Sequence, residues 1–171
     1  MEYTPDIEIL MPKIREVAKN AKVVIELGPA TGRGSTIALL EGMGVGEGKL
    51  FISVDIRDYM KVKPDVDFWH LVIGDSTEKK TVEDVKKLLG EGKTADLIFI
   101  DTKHNYEHMK AELNNWWEVA TLDTIWLFHD TWIFGKYNHM TEAVKEFAAE
   151  KGLLVYEDIT RDSHGLGIMH K

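Results

Sequence analysis

Lys22-Val-Val-Ile-Glu-Leu-Gly-Pro-Ala-Thr-Gly-Arg-Gly-Ser35 is the stretch that decides the fold. A β-branched run ends in Glu26-Leu27 and passes into a glycine turn of the kind that joins a strand to a helix. In an open α/β sheet, ligands bind outside the carboxyl ends of the strands, so this turn marks the expected pocket. A dinucleotide site asks for G-x-G-x-x-G, in which the second glycine lets a pyrophosphate approach the backbone. Ala30 stands at that position with Pro29 before it, so a nicotinamide dinucleotide fits poorly.

Outward from this turn, short β-branched runs alternate with segments of helical period, the signature of a parallel sheet wrapped by helices. The predicted strands are 22–27, 49–55, 68–74, 95–101, 124–129, 153–157 and 165–170. Between them, Tyr106, Met109, Leu113, Trp116, Trp117 and Ala120 form one helical stripe over 105–120. Val82, Val85, Leu88 and Leu89 mark another helix, and Ala143, Val144, Phe147 and Ala148 a third. Near the start, Thr4-Pro5-Asp6 reads as a helix cap and first turn, and Pro12 predicts a break into two short helices. Residues 1–21 are thus expected to form a helical cap or lid on a single domain spanning 1–171. Gly42-Met-Gly-Val-Gly-Glu-Gly48 follows a helix and precedes a strand, the wrong side for anion binding, and reads as a connector.

Composition narrows the function. The 171 residues carry 29 acidic and 21 basic side chains, a net charge of −8, which suits one compact domain and fits nucleic acid poorly as a partner. With no cysteine, any metal must be held by His, Asp or Glu. The N-terminus lacks the basic and apolar regions of a secretory signal, and apolar runs such as Leu97–Ile100 are far short of a membrane span, so the cytoplasm is the expected location.

The strand ends carry the chemistry. The second closes in Val54-Asp55, where a carboxylate can accept both hydroxyls of a ribose, and the third in Gly74-Asp75-Ser76, where an acceptor can meet an adenine amino group. With E-x-G-x-x-x-G after the first strand, this order resembles the class I S-adenosylmethionine-dependent methyltransferases over nearly the whole chain. The resemblance implies a Rossmann-like doubly wound sheet of seven strands in order 3-2-1-4-5-7-6, with the last strand antiparallel. It also implies S-adenosylmethionine as cofactor. Glu26, Gly28, Pro29 and Gly32 would then surround the methionine part, Asp55 the ribose, and Asp75 with Ser76 the adenine.

The second half reads Leu97-Ile-Phe-Ile-Asp101-Thr-Lys-His104-Asn-Tyr106-Glu and then Trp126-Leu-Phe-His129-Asp130-Thr131. This is similar to small-molecule O-methyltransferases with F-I-D-x-x-H-x-Y-E and a later H-D, related to macrolide-sugar and cation-dependent catechol-type enzymes. By that resemblance Asp101, His129 and Asp130 stand where a divalent metal is held, and the hard carboxylate oxygens suit Mg²⁺ or Mn²⁺. His129 departs from the usual acid or amide there: it either supports the site from within or shifts the metal preference. His104 stands where the catechol group has a lysine base, and an imidazole suits proton acceptance at neutral pH. Capping of the following helix is its plainer role, and Lys103 the second choice of base. The implied reaction is methyl transfer to a hydroxyl of a small acceptor. A metal-independent transferase and a non-catalytic cofactor-binding module are the alternatives.

His104-Asn-Tyr-Glu107-His108 also spells H-x-x-E-H, an inverted zinc-protease signature. At 100° per residue His108 falls about 200° from Tyr106, on the side away from the sheet, which argues against that use. Trp116 and Trp117 belong to the packing stripe. Trp132, Phe134, Tyr137 and His139 follow the fifth strand and either wall the pocket or pack. His164 lies in a turn before the last strand, in reach of the pocket rim. A minimal domain with an open pocket is also compatible with a homodimer.

Overall fold

The structure, a computed structural model, describes residues 5–133, 139–153 and 155–171; for 5, 6 and 155–157 it describes the backbone alone. The expected cap at Thr4 and the aromatic pair Phe134 and Tyr137 lie outside the described residues.

Seven strands make one sheet: β1 (Val23–Leu27), β2 (Leu50–Asp55), β3 (Trp69–Ile73), β4 (Leu97–Ile100), β5 (Ile125–His129), β6 (Val155–Thr160) and β7 (Leu166–His170). Their order is β3-β2-β1-β4-β5-β7-β6, as the resemblance implies. The pairs β3–β2, β2–β1, β1–β4 and β4–β5 are parallel, and β7 runs antiparallel to both β5 and β6. Because β1 pairs with both β2 and β4, the strand order reverses beside it, and a crevice opens at its carboxyl end.

Among the described residues five α-helices cover the sheet: α1 (Pro5–Ala18), α2 (Ser35–Met43), α3 (Lys79–Leu89), α4 (Tyr106–Trp116) and α5 (His139–Lys151). Successive residues of a strand face opposite sides, and both sides here are apolar. Ile25, Ile52, Ile98, Trp126 and Phe128 pack against α3, α4 and α5. Val24, Phe51, Leu97, Phe99 and Leu127 pack against α1 and α2. Met109, Leu113 and Trp116 are buried, with Tyr106, Trp117 and Ala120 packed at the edge, so the predicted stripe is real; its last turn is a 3₁₀ turn over Trp117–Val119. Of the glycine-rich segment 42–48, Gly42 and Met43 end α2 and the rest connects it to β2, as its context predicts.

Two expectations need correction. The N-terminal segment is one helix rather than two, with Pro12 inside it. Pro12 and Glu8, the residue whose carbonyl loses its partner, both face solvent, so water can satisfy that carbonyl. Meanwhile Ile7, Leu10, Ile14 and Ala18 form a continuous buried stripe that holds the two halves in line. The sixth strand begins two residues later than predicted and runs to Thr160, carried by its ladder with β7 instead of by apolar content.

Candidate active site

A cavity of about 930 Å³ lies at the carboxyl ends of the strands, lined by the loops that follow β1 to β5 and by the turn before β7. Its two halves are built differently.

On the β1–β3 side the backbone does most of the work. Gly28 donates its N–H to Val54 O at 2.9 Å and takes φ 87°, and a Cβ there would collide with the backbone carbonyl of Asp101. That close approach brings the loops after β1 and β4 together. Gly32 (φ 73°) likewise leaves no room for a Cβ beside Val62 O. Asp55 accepts from the N–H groups of Ala30 (3.2 Å) and Arg57 (3.4 Å); burial, outweighing those donors, raises its carboxyl above the usual range. Asp75 accepts from the Thr77 hydroxyl at 2.6 Å and its N–H at 2.8 Å, which hold its carboxyl below the usual range.

Of the residues expected around a cofactor, Gly28, Pro29, Asp55, Asp75 and Ser76 line the cavity, whereas Glu26 and Gly32 do not. Glu26 is fully buried and accepts from the hydroxyls of Ser35 (2.8 Å), Thr36 (2.9 Å) and Ser53 (2.8 Å). Burial pushes its carboxyl up to about 7, against the pull of those hydroxyls. It ties the start of α2 to β1 and β2 from beneath the turn.

On the β4–β5 side, four ionisable groups converge. His104 Nε2 lies 2.8 Å from Asp130 Oδ2 and 3.6 Å from Asp101 Oδ1, and His129 Nδ1 lies 3.3 Å from Asp101 and 3.4 Å from Asp130. One ligand atom each from Asp101, His104 and Asp130 falls within 4.8 Å of the others, a spacing that suits a shared cation. The buried His104 Nε2 and His129 Nδ1 crowd the carboxylates without the alignment of a hydrogen bond, as in a set of ligands gathered around an ion. Burial opposes charge on all four, but mutual attraction wins. It holds Asp101 below and Asp130 well below the carboxylate range, and lifts His104 to about 9 and His129 to about 10.

Backbone strain gathers here as well. Among the described residues, Ala30, Asp130, Ser163 and His164 are the non-glycine residues with positive φ, and three of them line this cavity. Asp130 (φ 58°) turns sharply out of β5. The turn before β7 is pinned to the same loop by Trp132 N–H donating to His164 O at 2.5 Å, and brings His164 Nδ1 to 3.4 Å from Asp130 Oδ1. Trp132 does not line the cavity; the Arg161 guanidinium lies 4.2 Å from its ring. His139, the first residue of α5, sits 3.1 Å from Glu142 and is likewise no part of the wall.

The sequence misplaces one residue of this region and hides another. His108, expected to face away from the sheet, lines the cavity, because α4 starts at the carboxyl ends of the strands and its first turn overlooks the crevice. His104 precedes that helix and Asn105 caps it, accepting from His108 N–H at 2.9 Å, so the two histidines do not share a helical face as the protease motif requires. Glu112 is fully buried, and its signal was a carboxylate inside the stripe of Met109, Leu113 and Trp116.

Comparison with known proteins follows the same lines. The structure is similar to the SAH-bound methyltransferase PaMTH1 of Podospora anserina (16% identity, 99% of this chain and 79% of that one, TM-score 0.64). It is also similar to an O-methyltransferase of Bacillus cereus in complex with SAH (14%, 99% and 83%, 0.65). The methyltransferase MycE of mycinamycin biosynthesis, in complex with Mg, SAH and mycinamycin VI, matches at 12% identity over 96% of this chain and 48% of its own (0.64). No curated protein matches the chain in sequence. A methyltransferase-domain model, however, matches residues 25–131, which run from within β1 past the carboxylate of Asp130 and so take in both halves of the cavity; the chain belongs to that methyltransferase domain family.

Proposed function

We propose that this protein transfers a methyl group from S-adenosylmethionine to a hydroxyl oxygen of a small acceptor, assisted by a divalent cation. The observation that carries the proposal is the convergence of Asp101, His104 and Asp130 on the wall of the cavity that also holds Gly28, Asp55 and Asp75. The relatives add support, since the structures from Podospora anserina and Bacillus cereus hold SAH and that of MycE holds Mg, SAH and mycinamycin VI.

Gly28, Pro29, Asp55, Asp75 and Ser76 bind the cofactor, with Asp55 at the ribose and the Asp75–Ser76 segment at the adenine. Asp101 and Asp130 hold the cation with His129 beside them, the ligand set that hard cations prefer. A cation there supplies positive charge that acidifies a hydroxyl bound to it. His104, about a quarter exposed where His129 is nearly closed off, faces the acceptor. S-adenosylmethionine held there would supply an electrophilic methyl group with a thioether as its leaving group, and His104 would take the hydroxyl proton as the acceptor oxygen gains the methyl. For this His104 must be neutral, so the negative charge of Asp101 and Asp130 has to be balanced by something other than the imidazolium. The short distance to Asp130 favours a second reading, in which His104 is itself a ligand.

Calorimetry on chelator-treated protein tests the assignment, with S-adenosylhomocysteine titrated before and after Mg²⁺ or Mn²⁺ and NAD as control. Binding of S-adenosylhomocysteine and not NAD is expected, with cation binding that the His104→Ala variant retains while it loses turnover. Loss of cation binding in that variant makes His104 a ligand, and absence of S-adenosylhomocysteine binding removes the proposal.

A further inference from the structure

The Glu112 side chain has no solvent exposure, and three side chains from three parts of the cavity wall converge on it. Ser76 Oγ donates to Oε1 at 2.5 Å from the loop after β3, and Thr102 Oγ1 donates to Oε2 at 2.8 Å from the loop after β4. His108 Nε2 lies 3.2 Å from Oε1, the third side chain to reach this carboxyl group. All three partners line the cavity, and Glu112 itself does not. The same face of α4 fixes the loop that carries Ser76: Trp116 Nε1 donates to Ser76 O at 2.9 Å and Asn115 Nδ2 to Thr77 O at 2.5 Å. Ser76 therefore has little freedom to turn its hydroxyl elsewhere.

A hydroxyl has one proton and two lone pairs. Where Glu112 takes the hydroxyl protons, only lone pairs remain for the ligand on Ser76 Oγ and Thr102 Oγ1. Asp75 adds a carboxylate to the same wall. The two hydroxyls of this wall can accept hydrogen bonds and have no proton to offer in return.

We propose that Glu112 is a positioning residue that sets the hydrogen-bond polarity of the adenine end of the cavity, so that it accepts from the 6-amino group of adenine and rejects a purine with a carbonyl there. This rests on the placement of adenine beside Ser76 in the proposed function. A glutamine at position 112 would keep the size but carry an NH₂ group, which can donate to Ser76 or Thr102 and turn their protons toward the ligand. Positioning by Glu112 thus becomes a question of which ligand is preferred, which packing alone does not decide.

The test compares the affinity of S-adenosylhomocysteine with that of S-inosylhomocysteine, its deaminated analogue, by calorimetry on the wild type and Glu112→Gln. The wild type is expected to prefer the adenine ligand by about tenfold or more, the size of a buried hydrogen bond replaced by two opposed acceptors, and the variant to lose most of that preference. An unchanged preference in a variant that still binds S-adenosylhomocysteine overturns the inference. Should Glu112→Gln fail to fold, Ser76→Ala and Thr102→Val serve instead: each is expected to lower the preference, and no change in either overturns the inference. If the wild type binds neither ligand, the cofactor reading itself fails and takes this inference with it.

Discussion

The two halves of the cavity solve different physical problems. At the tips of β1 to β3, glycine conformations and backbone N–H groups shape a surface around a ligand, and the carboxylates there are half-satisfied by the chain's own backbone. At the tips of β4 and β5, two carboxylates and two imidazoles face one another with little backbone help, and each depends on the others for its charge. The first half is a shape that waits for a molecule. The second is a charge balance in which two imidazolium protons offset two carboxylates, and the proposed dication would take their place. Substitutions should therefore act on one half at a time.

The largest separation is expected from Asp130→Asn. Losing one of two hard anionic ligands should reduce cation-dependent turnover by on the order of a hundredfold or more, with S-adenosylhomocysteine affinity within about twofold of wild type. Calorimetry and single-turnover assays at saturating cofactor measure both. A full metal response in both Asp130→Asn and Asp101→Asn would break the division. The mirror variant is Asp55→Ala, which removes an acceptor from the β2 tip and should weaken S-adenosylhomocysteine by about tenfold or more while leaving Mn²⁺ affinity unchanged. Equal cofactor affinity in the variant and the wild type removes the ribose assignment.

The charge balance makes a pH prediction that the first half does not share. His104 and His129, lifted to about 9 and about 10, hold protons that a dication must displace. Cation affinity should therefore rise with pH from neutrality to about 10 and release protons, read by titration in buffers of different ionisation enthalpy. Stability of the cation-free protein runs the other way. A raised imidazole contributes fully below its ordinary value of 6.5, and that contribution is lost as pH climbs through 9 and 10. The melting temperature in chelator should fall over that window more steeply in the wild type than in His129→Gln. Parallel curves would mean that His129 does not share the carboxylates' charge.

The contrast also explains what could be read from the sequence. The β1 turn, Asp55 and Asp75 are consecutive with the strands that place them, so local order announces them. Asp101 and the His129-Asp130 pair announce themselves in the same way, as the ends of β4 and β5. That His104 reaches Asp130, or that His164 comes to 3.4 Å from it across the β7 turn, follows from strand order, which no local spacing contains. The single α1 escaped because Pro12 is a local signal and the buried stripe that overrides it is tertiary. Glu112 escaped because periodicity scores apolar residues, and a carboxylate in the stripe is skipped instead of questioned.

Glu26 gives the smallest effect and the finest test of the first half. It sits in the motif expected to surround the methionine part, yet it is buried beneath the turn with its oxygens given to Ser35, Thr36 and Ser53. Its carboxyl is raised from 4.5 to about 7, so whatever it contributes to stability is complete below about 4.5 and is lost as pH rises through 7. Glu26→Gln keeps a carbonyl for the hydroxyls and removes the titration. The melting temperature of the variant relative to wild type should therefore climb between about 4.5 and 7 and stay level outside that window. S-adenosylhomocysteine affinity should stay within about twofold, since no direct hydrogen bond to the ligand is lost. A tenfold loss of affinity with no pH-dependent change in melting would place Glu26 against the ligand after all, and the turn would then be reading the cofactor with a side chain as well as with its backbone.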